Sequence, residues 1–184
     1  MTETKIVIIL DESYSMQLKK HEVIEGFNTF IDKQKEIKND NPHLYLIKFN
    51  HEINVLYKNV ELNKIPYLTN ETYIPDGFTK LYDAIYEGIK RVKENLSNNN
   101  KVIFVIITDG EDNFSTKVTY TDLLDLIQIH EAMENWTFIY IGEHPDWWAR
   151  KTGIDPSRSH RYNALSPKDS FRTLEKDVTD SRSQ

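Results

Sequence analysis

No cysteine occurs among the 184 residues of the chain, which excludes disulfides and any zinc or iron–sulfur site built on thiolates. Long apolar runs are missing too: nothing approaches the ~18 residues that a membrane-spanning helix needs. The N-terminus lacks a basic segment followed by an apolar stretch and a small-residue cleavage site. A strand-like run starts there at Lys5, too soon and too short for a signal peptide. Positive charge is in deficit, with 23 Lys and Arg against 29 Asp and Glu and a formal net charge of -6. That balance disfavours a general affinity for nucleic acid or an anionic membrane and is compatible with binding cations. No G-x-x-x-x-G-K-[ST] phosphate loop occurs. The histidines at 21, 43, 51, 130, 144 and 160 have no paired metal-ligand spacing and read as surface residues. There is no internal repeat and no linker. The expectation is one soluble, cytoplasmic domain over residues 1–184, with no nucleic-acid or membrane partner. Frequent asparagine, including the run Asn98-Asn99-Asn100, hints at an AT-rich genome such as that of a phage or low-GC bacterium.

What is present is a 39% hydrophobic composition arranged in four short apolar runs. These are Lys5–Leu10, Leu44–Phe49, Val102–Thr108 and Trp136–Gly142. Three are continuous rather than alternating, which suits strands buried on both faces of a parallel sheet. Between them lie segments of helical spacing. Val23, Phe27, Phe30, Ile31 and Ile37 share one face, as do Leu81, Ile85, Ile89, Val92 and Leu96. A third helix is predicted over about residues 121–134, with Thr119 and Asp122 as a cap-like pair. Residues 51–60 read as an antiparallel edge strand, and residues 61–79 as a long irregular loop of the kind that usually carries function. Further on, Pro145–Thr152 reads as a short helix, 153–161 as a loop and 161–165 as a last short strand. Residues 167–178 read as a C-terminal helix with a frayed tail. The fold class is therefore α/β: a doubly wound, mostly parallel central sheet flanked by helices, with one antiparallel edge strand.

In such sheets ligands bind beyond the carboxyl ends of the strands, where strand order reverses. Asp11 follows the first run and Asp109 the third. Two neighbouring carboxylates repel each other unless a cation lies between them. Ser13 and Ser15 stand two and four residues after Asp11, so in an extended loop all three side chains face one point. Thr79, in Gly77-Phe78-Thr79 just before a helix, offers a further hydroxyl, and Gly77 gives the loop backbone freedom. The donors are all hard oxygens, which favours Mg²⁺, with Mn²⁺ and Ca²⁺ as alternatives. The hydroxyls are neutral, so such an ion still seeks an anionic ligand from outside.

Asp11-x-Ser13-x-Ser15, Thr79 within Gly77–Ile85, and Asp109-Gly110 after an apolar strand together resemble the von Willebrand factor A domain family. That family carries the metal-ion-dependent adhesion site. The resemblance covers residues 4–142 in order and spacing. It implies a metal site of Asp11, Ser13, Ser15, Thr79 and Asp109, with Asp109 often reaching the ion through water, and a first strand in the middle of the sheet. Lys80 departs from the family pattern, where a small residue or proline is common.

Read alone, Asp11 is also a plausible helix cap and the two serines plausible turn residues. Around the set, Glu12 and Tyr14 should point away from the metal toward a partner. Tyr67 and Tyr73 could form a recognition rim, and Gly77, Lys80, Glu111 and Asp112 complete the candidate partner-binding residues. One of Trp147 and Trp148 should pack a short helix on the sheet. The expected function is a non-enzymatic, metal-dependent adhesion or adaptor module whose ion accepts an Asp or Glu from a protein partner. The alternatives are a metal-dependent phosphoester hydrolase, for which Ser13 removes the second acid of a D-x-D site, and a domain whose metal is only structural.

Overall fold

The computed structural model describes residues 3–184. Six strands form one sheet in the order β3-β2-β1-β4-β5-β6. They are β1 (Thr4–Asp11), β2 (His43–Phe49), β3 (Ile53–Glu61), β4 (Lys101–Ile107), β5 (Trp136–Gly142) and β6 (Ser159–Arg161). β1 pairs in parallel with both β2 and β4, and β3 is the antiparallel edge strand. All eight residues of β1 are buried. Its alternate side chains feed two cores: Ile6, Ile8 and Leu10 face one, Val7 and Ile9 the other. A strand covered on both faces cannot alternate apolar with polar, hence its unbroken sequence run.

Helices α1 (Lys20–Glu36) and α5 (Pro167–Ser183) cover the first face. Helices α2 (Leu81–Lys93) and α3 (Tyr120–Glu131) cover the second, joined there by α4 (Pro145–Thr152). The Thr119–Asp122 pair is a capping box: the Asp122 N–H donates to the Thr119 hydroxyl at 3.2 Å and the Thr119 N–H to the Asp122 carboxylate at 3.4 Å. On α4 it is Trp148 that packs inward, its ring 4.6 Å from that of Tyr140. Strand order reverses between β1 and β4, so the switch point of the sheet lies where Asp11 and Asp109 leave their strands. Among the described residues no helix is long and apolar enough to cross a membrane.

Three expectations change. The last strand is Ser159–Arg161, earlier than 161–165, because it adds to β5 through Tyr140↔Ser159 and Gly142↔Arg161. His130 is buried rather than on the surface: its Nδ1 lies 2.8 Å from the Leu126 carbonyl and its ring 4.5 Å from Trp136. The C-terminal helix runs to Ser183 without fraying. Its anchor is Arg182, whose guanidinium is fully buried and donates to the Gln34 carbonyl at 2.7 Å, the Gln34 side chain at 3.0 Å and the Asp40 carboxylate. Removing one partner of a buried pair leaves the other uncompensated. Arg182→Met should therefore lower the unfolding free energy by about 3 kcal/mol in urea denaturation; a loss below ~1 kcal/mol would mean the tail is held by packing alone.

Candidate metal centre

Asp11 ends the central strand with no exposure to solvent. One carboxylate oxygen accepts the Ser13 N–H at 2.7 Å and the other the Thr108 hydroxyl at 2.6 Å. Its carbonyl accepts the Tyr73 hydroxyl at 2.6 Å. The loop stays extended only to Ser13 (φ -74°, ψ 165°), where a 3₁₀ turn, Tyr14–Lys19, begins. The turn, not an extended chain, brings the Ser15 hydroxyl to 3.1 Å from that of Ser13. Ser15 then donates to Asp109 at 2.7 Å. Asp11, Ser13, Ser15 and Asp109 thus form one hydrogen-bonded cluster across two strand ends.

The second loop is pinned to both. Tyr14 N–H donates to the Gly77 carbonyl at 3.1 Å and Asp76 N–H to the Glu12 carbonyl at 3.0 Å. Thr79, 7% exposed, donates its N–H to Asn113 Oδ1 at 2.8 Å, and its carbonyl accepts from Asn113 and Phe114 at 3.0 and 3.2 Å. Gly77 has φ of +69°, and a Cβ there would lie 1.9 Å from His51 Nδ1. Only glycine fits this crossing. Asp83, nearly buried in the first turn of α2, accepts the N–H groups of Thr116, Lys117 and Val118 at 3.0 Å each. Sequence reasoning missed Asp83, Thr108 and Asn113 as organisers. Thr108 at least was visible, as the polar residue closing an apolar strand.

Two candidate partner-binding residues are corrected. Glu12 is 6% exposed, and its carboxylate accepts from Lys48 at 2.8 Å and from the Ile74 N–H at 2.9 Å. Lys48 is itself buried on β2 and needs that counter-charge. Tyr73 is wholly buried because its hydroxyl serves the Asp11 carbonyl. Tyr67 is exposed but bonds Asp32 of α1 at 2.7 Å, on the flank facing that helix. Tyr14 is exposed beside the site. Lys80 Nζ lies 5.5 Å over the Phe114 ring. Glu111 is exposed and 3.2 Å from His144. Asp112 accepts the Tyr82 N–H at 3.1 Å at the start of α2.

Burial raises the Asp11 carboxyl above its ordinary range, against the hydrogen bonds from Ser13 and Thr108. Burial first, and then the charge of Asp11, push Asp109 up to about 6. A cation beside the two carboxylates would favour their charged forms and so oppose both shifts. Among the described residues no three His, Asp or Glu side chains gather as a metal cluster. Thr79 is tied to the Asp109 loop through its backbone, while the cluster itself offers two carboxylates with the hydroxyls of Ser13 and Ser15, a hard-oxygen set with no imidazole or thiolate. It fits an ion of the Mg²⁺ type.

The family model described as von Willebrand factor type A domain matches residues 5–169. No curated protein matches the chain in sequence. Among solved structures, a von Willebrand factor type A protein from Catenulispora acidiphila has a TM-score of 0.65 at 18% identity, over 95% of this chain and 42% of that one. Proximal thread matrix protein 1 from the mussel byssus, in a form with a zinc-occupied MIDAS motif, has a TM-score of 0.67 at 16% identity, over 98% and 48%. The vWF domain of the type V pilus tip protein Mfa5 from Porphyromonas gingivalis has a TM-score of 0.63 at 11% identity, over 97% and 95%. The chain thus spans under half the length of the first two. At these identities the likeness is one of fold.

A carboxyl raised in the folded state contributes stability below its unfolded pKa and loses it as pH rises through the folded one. For Asp109 that window runs from the ordinary value of 3.8 to about 6. In chelator, the melting temperature of the wild type relative to Asp109→Asn should fall as pH rises across this window, and Mg²⁺ at pH 7 should raise that of the wild type. A difference that grows with pH would mean that Asp109 is held as an anion without metal.

Proposed function

The chain belongs to the von Willebrand factor type A family, and from that premise we propose that it is a metal-dependent protein-binding module. In this reading Ser13, Ser15 and Thr79, with Asp11 and Asp109, hold a divalent cation, Mg²⁺ on the hardness of the donors. The bound ion supplies a Lewis-acidic position for an Asp or Glu side chain of a protein partner. The observation that carries the reading is the hydrogen-bonded cluster of Asp11, Ser13, Ser15 and Asp109, which sets two carboxylates beside neutral hydroxyls at the switch point of the sheet. Zinc is named in the mussel relative, but the absence of nitrogen and sulfur from this donor set favours the harder ion here.

The chain's own residues do the preparatory work. Thr108 and the Ser13 amide hold the Asp11 carboxylate in one orientation. Ser15 ties Asp109 to the first loop, and Asn113 fixes the Thr79 backbone. Three nearby acids are committed elsewhere: Glu12 to Lys48, Asp112 to the start of α2 and Asp83 to loop amides. Ser13 stands where a D-x-D phosphohydrolase site carries its second acid, which supports binding over phosphoester hydrolysis.

The test is capture from a lysate of the source cell with tagged protein, in Mg²⁺ and in EDTA, beside Ser13→Ala and Thr79→Val. The expected result is a partner retained by the wild type in Mg²⁺ and reduced about tenfold or more in EDTA and in both variants, with far-UV dichroism unchanged. A partner retained equally in all four samples would put the interface away from this site.

A further inference from the structure

Ten large apolar side chains are exposed among the described residues, and five of them, Tyr14, Leu18, Ile74, Phe78 and Phe114, lie on the three loops that build the metal centre. Contact between exposed apolar side chains marks an interaction surface, whereas scattered exposure does not. The centre of the group is a pair of phenylalanines from different loops. Phe78 precedes Thr79, and Phe114 follows the Asp109 loop. Their rings stack at 5.0 Å and 17°, yet they remain 57% and 42% exposed. The loops do not need this stack to stay together, since Thr79 already joins them by three hydrogen bonds. Lys80, over the Phe114 ring at 5.5 Å, borders the stack. Tyr14 adjoins it through the bond between its N–H and the Gly77 carbonyl.

We propose that the Phe78–Phe114 stack is an apolar anchor beside the metal centre that selects protein partners whose acidic residue is flanked by apolar side chains. The proposal rests on the metal-bridged reading. A carboxylate that reaches the cluster must lay its neighbouring residues on the ridge that runs beside Thr79. Asp76 and Glu111 are exposed on the same loops, so an acidic flank is repelled there. A basic flank is the competing occupant, drawn by those two acids but offered two phenyl rings of which one already carries Lys80. Apolar flanks gain from burying the rings and meet no like charge.

The probes are three capped synthetic peptides with one central Asp, flanked by leucines, by serines or by lysines. Their affinities are read by fluorescence anisotropy in Mg²⁺ and in EDTA. The leucine-flanked peptide should bind about tenfold tighter than either of the others. Phe78→Ser and Phe114→Ser should each remove most of that preference while the Mg²⁺-induced rise in melting temperature persists. Equal affinities, a tighter lysine-flanked peptide, or no binding of any peptide at millimolar concentration overturns the proposal. So does a preference that survives both variants, or one lost together with the Mg²⁺ response, since the stack would then only hold the loops. The two readings fail separately. Metal-dependent binding without leucine preference sinks the anchor alone. A leucine preference that persists in EDTA supports the anchor and sinks the metal bridge.

Discussion

A carboxylate with no access to solvent must be compensated by the chain around it, and Asp11 stands in that position at the end of the most buried strand of the sheet. Burying an ionised group is unfavourable by several kcal/mol unless it is paired. The chain supplies an amide from Ser13 and a hydroxyl from Thr108, which satisfy lone pairs without neutralising charge. Asp109, close enough to feel Asp11, adds to the problem. The structure is therefore left with an electrostatic deficit that a cation between the strand ends would relieve, and any such ion would stabilise the fold as it binds.

The same constraint organises the long second loop. A loop of this length loses conformational entropy when ordered and needs specific ties. Tyr73 enters the core with its hydroxyl on the Asp11 carbonyl, at the end of β1. Glu12 turns inward because Lys48 is buried on the neighbouring strand, and its second role is to hold the Ile74 amide. Leu62, Ile65 and Leu68 bury the other half of the loop in the core beneath α1. One face of the segment is thus fixed to the core and the metal cluster, which leaves Ile74 and Phe78 outward.

The first five strands and the grouping of Asp11, Ser13, Ser15 and Asp109 were legible in the sequence because each is encoded locally. A continuous apolar run needs only its own residues to declare itself, and a strand-end acid followed by spaced hydroxyls needs only five. What was not legible depends on partners distant in the chain. Glu12 meets Lys48 across 36 positions, Tyr73 meets Asp11 across 62, and Arg182 meets the Gln34 and Asp40 region across more than 140. Read without those partners, an acid beside a ligand looks like a contact residue, a loop tyrosine looks exposed, and a polar C-terminal tail looks frayed. The three-residue β6 was misplaced for a related reason: its only definition is its pairing with β5.

The distribution of these long-range ties also decides where the molecule can yield to a partner. α5 is held along its length: Lys168 pairs with Glu25, Phe171 packs edge-on against Phe27, and Asp177 meets His160 at 2.6 Å. Near its end, Lys101 bonds the Ser181 carbonyl and Arg182 is sealed against α1. Sliding α5 by a turn would break all of these together, and the Arg182 group would then be buried without partners. The loops around Asp11, Thr79 and Asp109 carry no such buried charge anchor at their solvent edge, where Tyr14 bonds Gly77 and Ser15 bonds Asp109, contacts that water can replace at a net difference of about 1 kcal/mol each. Adjustment to a ligand therefore falls on the loop end of the sheet, while the opposite end keeps the strands and α5 in fixed register.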